Sequence, residues 1–70
     1  MIKYKVKTNK GYTRIYSKLQ GAKRDYGSWC RKWNDSTDKQ RPNWVRLYML
    51  ENDHADWIIM EELTHEFNDN

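Results

Sequence analysis

Lys3, Lys5 and Lys7 stand at alternate positions, followed by Tyr12, Arg14 and Tyr16, again at every second residue. Ammonium and guanidinium groups neutralise phosphates, and flat phenol rings offer bases a surface to stack on. This grouping therefore points to contact with DNA or RNA, single-stranded by preference. Arg24 and Arg31, seven residues apart in a helical stretch, add a second basic line on one face. The second half of the chain carries a different chemistry. Trp44, Tyr48 and Trp57 stand among Glu51, Asp53, Asp56, Glu61 and Glu62. Aromatic rings within an acidic rim make a surface suited to a protein partner, above all a basic one. Each pattern also has a plain structural meaning. Lysines on the outside of an edge hairpin discourage edge-to-edge pairing, and two or three of the four Trp are expected simply to fill the core.

Residues for a reaction do not assemble. Structural zinc takes several thiolates at close spacing, whereas this chain has Cys30 alone and two separated histidines, His54 and His65. Cys30 as a nucleophile would need a histidine beside it and an exposed, electropositive setting. Arg31 and Lys32 are adjacent, but Cys30 lies on an apolar stripe and is expected to point inward. Glu61 and Glu62 are neighbours, and neighbours in a strand face opposite ways. No glycine loop for phosphates occurs. The expectation is a binding protein with no catalytic centre, no metal and no cofactor.

These groups must be positioned by small elements. IKYKVKT, residues 2–8, alternates so that Ile2, Tyr4 and Val6 face a core and the lysines face out. Asn9, Lys10 and Gly11 are turn residues, and YTRIY, residues 12–16, closes a hairpin. A two-residue turn at Lys10-Gly11 pairs Val6 with Ile15 and Lys7 with Arg14. A three-residue turn instead places Tyr12, Arg14 and Tyr16 on the Tyr4/Val6 face. The first is favoured because it buries Ile15 and not Arg14. Leu19, Ala22, Tyr26, Trp29, Cys30 and Trp33 then form one helical stripe. Ser17 and Gln20 read as its capping box. Gly21 would let the helix approach the sheet closely, and Gly27 marks a bend or an early end. A polar loop holding Pro42 follows. WVRLYML, residues 44–50, is a strand with Trp44, Arg46, Tyr48 and Leu50 on one face, and ENDHAD is a turn. WIIMEEL, residues 57–63, reads as a strand because Ile58 and Ile59 are β-branched beside Trp57. A helix capped by Asp53 or Asp56, aligning Ile59, Met60, Leu63 and Phe67, is the competing reading. The tail from Thr64 is expected to fray. The fold class is α+β: β-β-α-β-β, one antiparallel sheet with one helix across a face.

Seventy residues provide for one core, and a chain this short buries only about 60% of its unfolded surface. Ten aromatic residues offset the lack of a disulfide. A lone thiol fits a reducing cytoplasm, and no apolar run is long enough to span a membrane. Charge is lopsided. Residues 1–35 carry a net +8 and residues 36–70 a net −5, giving the whole chain +3. Opposed halves suit an anionic partner on one side and a basic one on the other, or pairing of two copies, so either a monomer or a homodimer is open.

YTRIYSKLQGAKRDY resembles a pattern in short uncharacterised accessory proteins of bacteriophages and mobile elements, in which a strand ending R-x-Y-S enters a helix beginning x-L-x-x-A-K. The matching residues are Arg14, Tyr16, Ser17, Leu19, Ala22 and Lys23. VRLYMLENDHADWIIMEEL is similar to the closing hairpin of such proteins. The resemblance implies a β-β-α-β-β fold without a reaction. It also implies action by binding a host protein, including defence complexes such as CRISPR effectors, and inhibiting it.

Overall fold

The computed structural model describes residues 2–64. Expectations that fall on His65, Phe67 and the rest of the tail lie outside them, while Thr64, expected to fray, is paired with Trp44 in the last strand. Five elements follow the expected order: β1 (Lys3–Thr8), β2 (Thr13–Tyr16), α1 (Leu19–Asn34), β3 (Trp44–Leu50) and β4 (Ile58–Thr64). All strand pairs are antiparallel, in the spatial order β2-β1-β3-β4. The helix lies over β1, β2 and β3 on one side. The fold is thus α+β, and residues 58–64 are a strand. Its β-branched pair and the short turn before it prevail over the helical spacing of Ile59, Met60 and Leu63.

Rows of cross-strand partners share a face. On the helix side run Tyr16–Tyr4–Met49–Ile58 and Arg14–Val6–Leu47–Glu61, with Thr8–Val45–Leu63 beyond. Val6, Val45, Leu47, Ala22 and Tyr26 form the buried core. Tyr4, Tyr12, Tyr16, Trp29, Cys30 and Trp33 pack around it, half-buried. None of the four Trp is fully buried, against the expectation of two or three in the core. Aliphatic side chains and Tyr26 fill the centre, and the other large rings seal its margins.

The favoured hairpin register is overturned. Val6 faces Arg14, and Lys5 faces Ile15, which is 57% exposed. The turn holds three residues, Asn9, Lys10 and Gly11. The Thr8 N–H donates to the Tyr12 carbonyl at 3.1 Å, and Gly11 adopts φ +89°, which glycine reaches without a Cβ clash. The reason lies on the helix. The Tyr12 and Tyr16 hydroxyls both donate to Oδ2 of Asp25, at 2.6 and 2.7 Å. Two hydrogen bonds to a charged acceptor contribute ~1.5–3 kcal/mol each, together more than the ~1.5–3 kcal/mol from burying one isoleucine. Arg14 is not buried by this choice. It stays exposed at the sheet edge, its guanidinium 5.5 Å from the Tyr16 ring centroid.

The helix departs from expectation at its start and not at Gly27. Its N-cap is Lys18, extended at φ −125° and ψ 137°, with no side-chain capping bond, so the Ser17–Gln20 box does not form. Tyr16 is held in β2 opposite Tyr4, and Ser17 and Lys18 are needed to turn the chain. The helix runs through Gly27 to Asn34 because Tyr26, Trp29, Cys30 and Trp33 pack on either side of it. That packing outweighs the ~1 kcal/mol a mid-helix glycine costs. Gly21 does permit a close approach, since a Cβ there would lie 3.3 Å from the Tyr16 ring.

Two outcomes test this account. Asp25→Ala leaves two hydroxyls without their acceptor and should cost ~1–3 kcal/mol in urea unfolding. Burial, together with the neighbouring Asp25, pushes the Tyr16 phenol well above its ordinary range, and burial does the same to Tyr26. Because the folded state holds these protons more tightly, their contribution to stability is intact below about pH 10 and is lost as pH rises further. Unfolding free energy measured from pH ~8 to ~11.5 should therefore fall, and less steeply in Tyr26→Phe.

Candidate binding surface on the open face of the sheet

Alternation sends Lys3, Lys5 and Lys7 of β1 and Trp44, Arg46, Tyr48 and Leu50 of β3 to the side away from the helix. Because β1 and β3 are the two central strands, these residues occupy the middle of the face. One row reads Ile15–Lys5–Tyr48–Ile59 and the next Thr13–Lys7–Arg46–Glu62. A bulge in β4 sets the outer end of both rows. Leu47 partners Glu61 while Tyr48 partners Ile59, so Met60 is an extra residue that shifts the register.

Cations and rings interleave on this face. Lys5 Nζ lies 4.6 Å from the Tyr48 ring centroid and 4.4 Å from that of Trp57, and the two rings meet edge to face at 6.4 Å. The Arg46 guanidinium sits 4.3 Å over the Trp44 ring. Lys7 stands directly across from Arg46, a like-charge pair that is unfavourable on its own. Arg46 meets Glu62 through Nε at 2.5 Å, and this bond raises the guanidinium pKa further. Among the described residues Glu62 is the one acid in those two rows. The surface therefore keeps a positive excess.

The expected groupings are rearranged. The basic hairpin set is split, with the three lysines on the open face and Tyr12, Arg14 and Tyr16 on the helix side. The three-residue turn moves them there. Arg24 joins Arg14, Tyr16, Gly21, Asp25 and Ser28 along a groove beside β2, and Arg31 is exposed further along the helix. The acidic aromatic patch is divided too. Trp44, Tyr48 and Trp57 are drawn to Arg46 and Lys5, Glu62 is on the open face, and Glu61 is on the opposite one. Glu51, Asp53 and Asp56 are exposed in the turn between β3 and β4. Arg46 was the member sequence reasoning passed over, although its place between Trp44 and Tyr48 on one strand face was readable from alternation alone.

Cys30, the candidate nucleophile, is not activated by its surroundings among the described residues. Burial pushes the Cys30 thiol up, the reverse of what a nucleophile needs, and the helix packs it against the core. Among the described residues no three His, Cys, Asp or Glu side chains gather as a metal site would require. No helix among them is long and apolar enough to cross a membrane.

The Arg46–Glu62 pair is about one-third exposed on each side, so it holds Arg46 loosely. A double-mutant cycle on the two should return a coupling below ~1 kcal/mol that shrinks with added salt. Comparison with protein-family models, curated proteins and solved structures finds no match.

Proposed function

We propose that this protein is a non-catalytic binding module whose open sheet face takes single-stranded nucleic acid, with Lys3, Lys5, Lys7 and Arg46 on phosphates and Trp44, Tyr48 and Trp57 under bases. The observation that carries it is Lys5 of β1 lying over two rings at once, Tyr48 on β3 and Trp57 just before β4. An exposed cation–π contact contributes ~0.5–1 kcal/mol, whereas stacking a base on a ring contributes ~1–3 kcal/mol. A base can therefore displace the lysine from the rings. The freed ammonium then meets the phosphate that arrives with that base, so both groups exchange one partner for a stronger one.

A second reading is favoured by the outer strand. Ile58, Ile59 and Met60 expose large apolar side chains on β4 beside Glu61 and Glu62. An apolar strip with acids suits a basic protein surface. In this reading the chain acts as the phage resemblance implies, by binding a host protein or defence complex and inhibiting it.

Fluorescence anisotropy with a labelled oligothymidylate tests the first reading. Saturable binding should weaken with salt, with a slope of log K against log salt of about −3 for four phosphates neutralised at ~0.7 each. The Lys3→Ala, Lys5→Ala, Lys7→Ala triple variant should lose most of the affinity and most of the slope. Binding that is absent, or indifferent to both salt and the three lysines, overturns this reading and leaves the protein-directed one.

A further inference from the structure

A cleft of about 410 Å³ opens at the end of the sheet where β1 finishes, lined by Lys10, Gly11, Tyr12, Trp29, Lys39 and Gln40. Three separate segments make it: the first hairpin turn, the helix and the loop over residues 35–43. Its aromatic wall is the Tyr12–Trp29 pair, with ring centroids 5.0 Å apart and planes tilted by 48°. The Tyr12 hydroxyl is already committed to Asp25, which anchors that ring. Lys32 Nζ lies 5.7 Å from the Trp29 ring centroid and is offset by Asp38 at 4.0 Å.

The opposite wall is built and not merely passing by. The Thr37 N–H and hydroxyl both donate to Asp35 Oδ1, and the Gln40 N–H donates to Asp38 Oδ1. Lys32 Nζ donates to Gln40 Oε1 at 3.3 Å and lies 4.0 Å from Asp38. Arg41 Nε donates to the Trp33 carbonyl, and Pro42 is buried. These bonds fix where Lys39 and Gln40 stand. Neither Lys10 nor Lys39 has an ion-pair partner among the described residues, and no acid lines the cleft. Two ammonium groups around two aromatic rings make a chemistry that fits a flat ring carrying an anion.

We propose that this cleft is a subsite for one nucleotide unit, its base against Trp29 and Tyr12 and its phosphate met by Lys10 and Lys39. The size is right for it, since ligand pockets begin near ~300 Å³. The cleft also adjoins the open face. Asn9 Oδ1 accepts from the Asn43 and Trp44 N–H groups, so the residue before Lys10 is tied to the first residue of β3. A strand crossing the lysines of β1 reaches this rim, and its terminal nucleotide turns over the edge into the cleft. That continuity rests on the open-face reading. The cleft itself takes the same chemistry from a free mononucleotide.

The test titrates the full chain with AMP, following the Trp29 indole N–H in ¹H–¹⁵N spectra, with adenosine and inorganic phosphate as separate probes. AMP should shift the Trp29 resonance saturably, and each half-ligand should bind about tenfold or more weakly. Lys10→Glu/Lys39→Glu should weaken AMP by about tenfold or more, while the Lys3, Lys5 and Lys7 alanine variant should leave AMP unchanged. Both lysine positions are exposed, so folding is not at risk. In the oligothymidylate assay a 5′- or 3′-phosphate should raise affinity in the wild type and not in Lys10→Glu/Lys39→Glu. AMP binding without any gain from a terminal phosphate assigns the cleft to a free mononucleotide and detaches it from the open face. No saturable shift of Trp29, or one indifferent to both charge reversals, overturns the subsite whatever the open face does.

Discussion

One carboxylate oxygen organises the molecule. Oδ2 of Asp25 accepts from Tyr12, just before the four-residue strand β2, and from Tyr16, its last residue. Gripping both ends from the helix fixes the parity of the hairpin, and parity decides which side chains look toward the helix and which look away. With β1 and β2 so aligned, Tyr12 and Tyr16 turn toward the helix, while Ile15 stands on the open side across from Lys5. Gly21 completes the arrangement, because the Tyr16 ring occupies the space that a Cβ would contest.

Most of the architecture was legible in the residues. Alternation in KYKVKT places the lysines outward as observed, and in WVRLYML it divides the residues between the two faces correctly without saying which face is inward. The helix was equally plain from Leu19, Ala22, Tyr26, Trp29, Cys30 and Trp33. What alternation cannot supply is the phase of one strand against another. The hairpin turned on a contact between Tyr12, Tyr16 and Asp25, distant in sequence, and burial of Ile15 was the wrong criterion for choosing between the two turns. The missing helix cap has the same origin, because Ser17 is a good cap only if the strand before it ends early enough.

The candidate surface was half legible for a related reason. The lysines were found, but their aromatic companions come from β3 and from Trp57 and not from β2. Pairing β1 with β3 across the helix is a long-range event that no local pattern in residues 1–16 encodes. The lopsided charge along the chain also loses its meaning once folded. β3, from the acidic half, lies beside β1 from the basic half, and Arg46 reinforces the lysines instead of opposing them.

The helix covers one side of the sheet alone, and all the buried aliphatic side chains lie on that side. Under the proposed function, folding and recognition fall to opposite surfaces of the same strands. Every second residue of β1 and β3 answers to the core, while those between answer to whatever the open face meets. Substitutions at the outward positions alter charge, ring and shape without opening a void beneath the helix. The open face can thus change its chemistry over evolutionary time while the interior stays as it is, a separation that a two-layer protein of this size would lose if a second helix covered the other face.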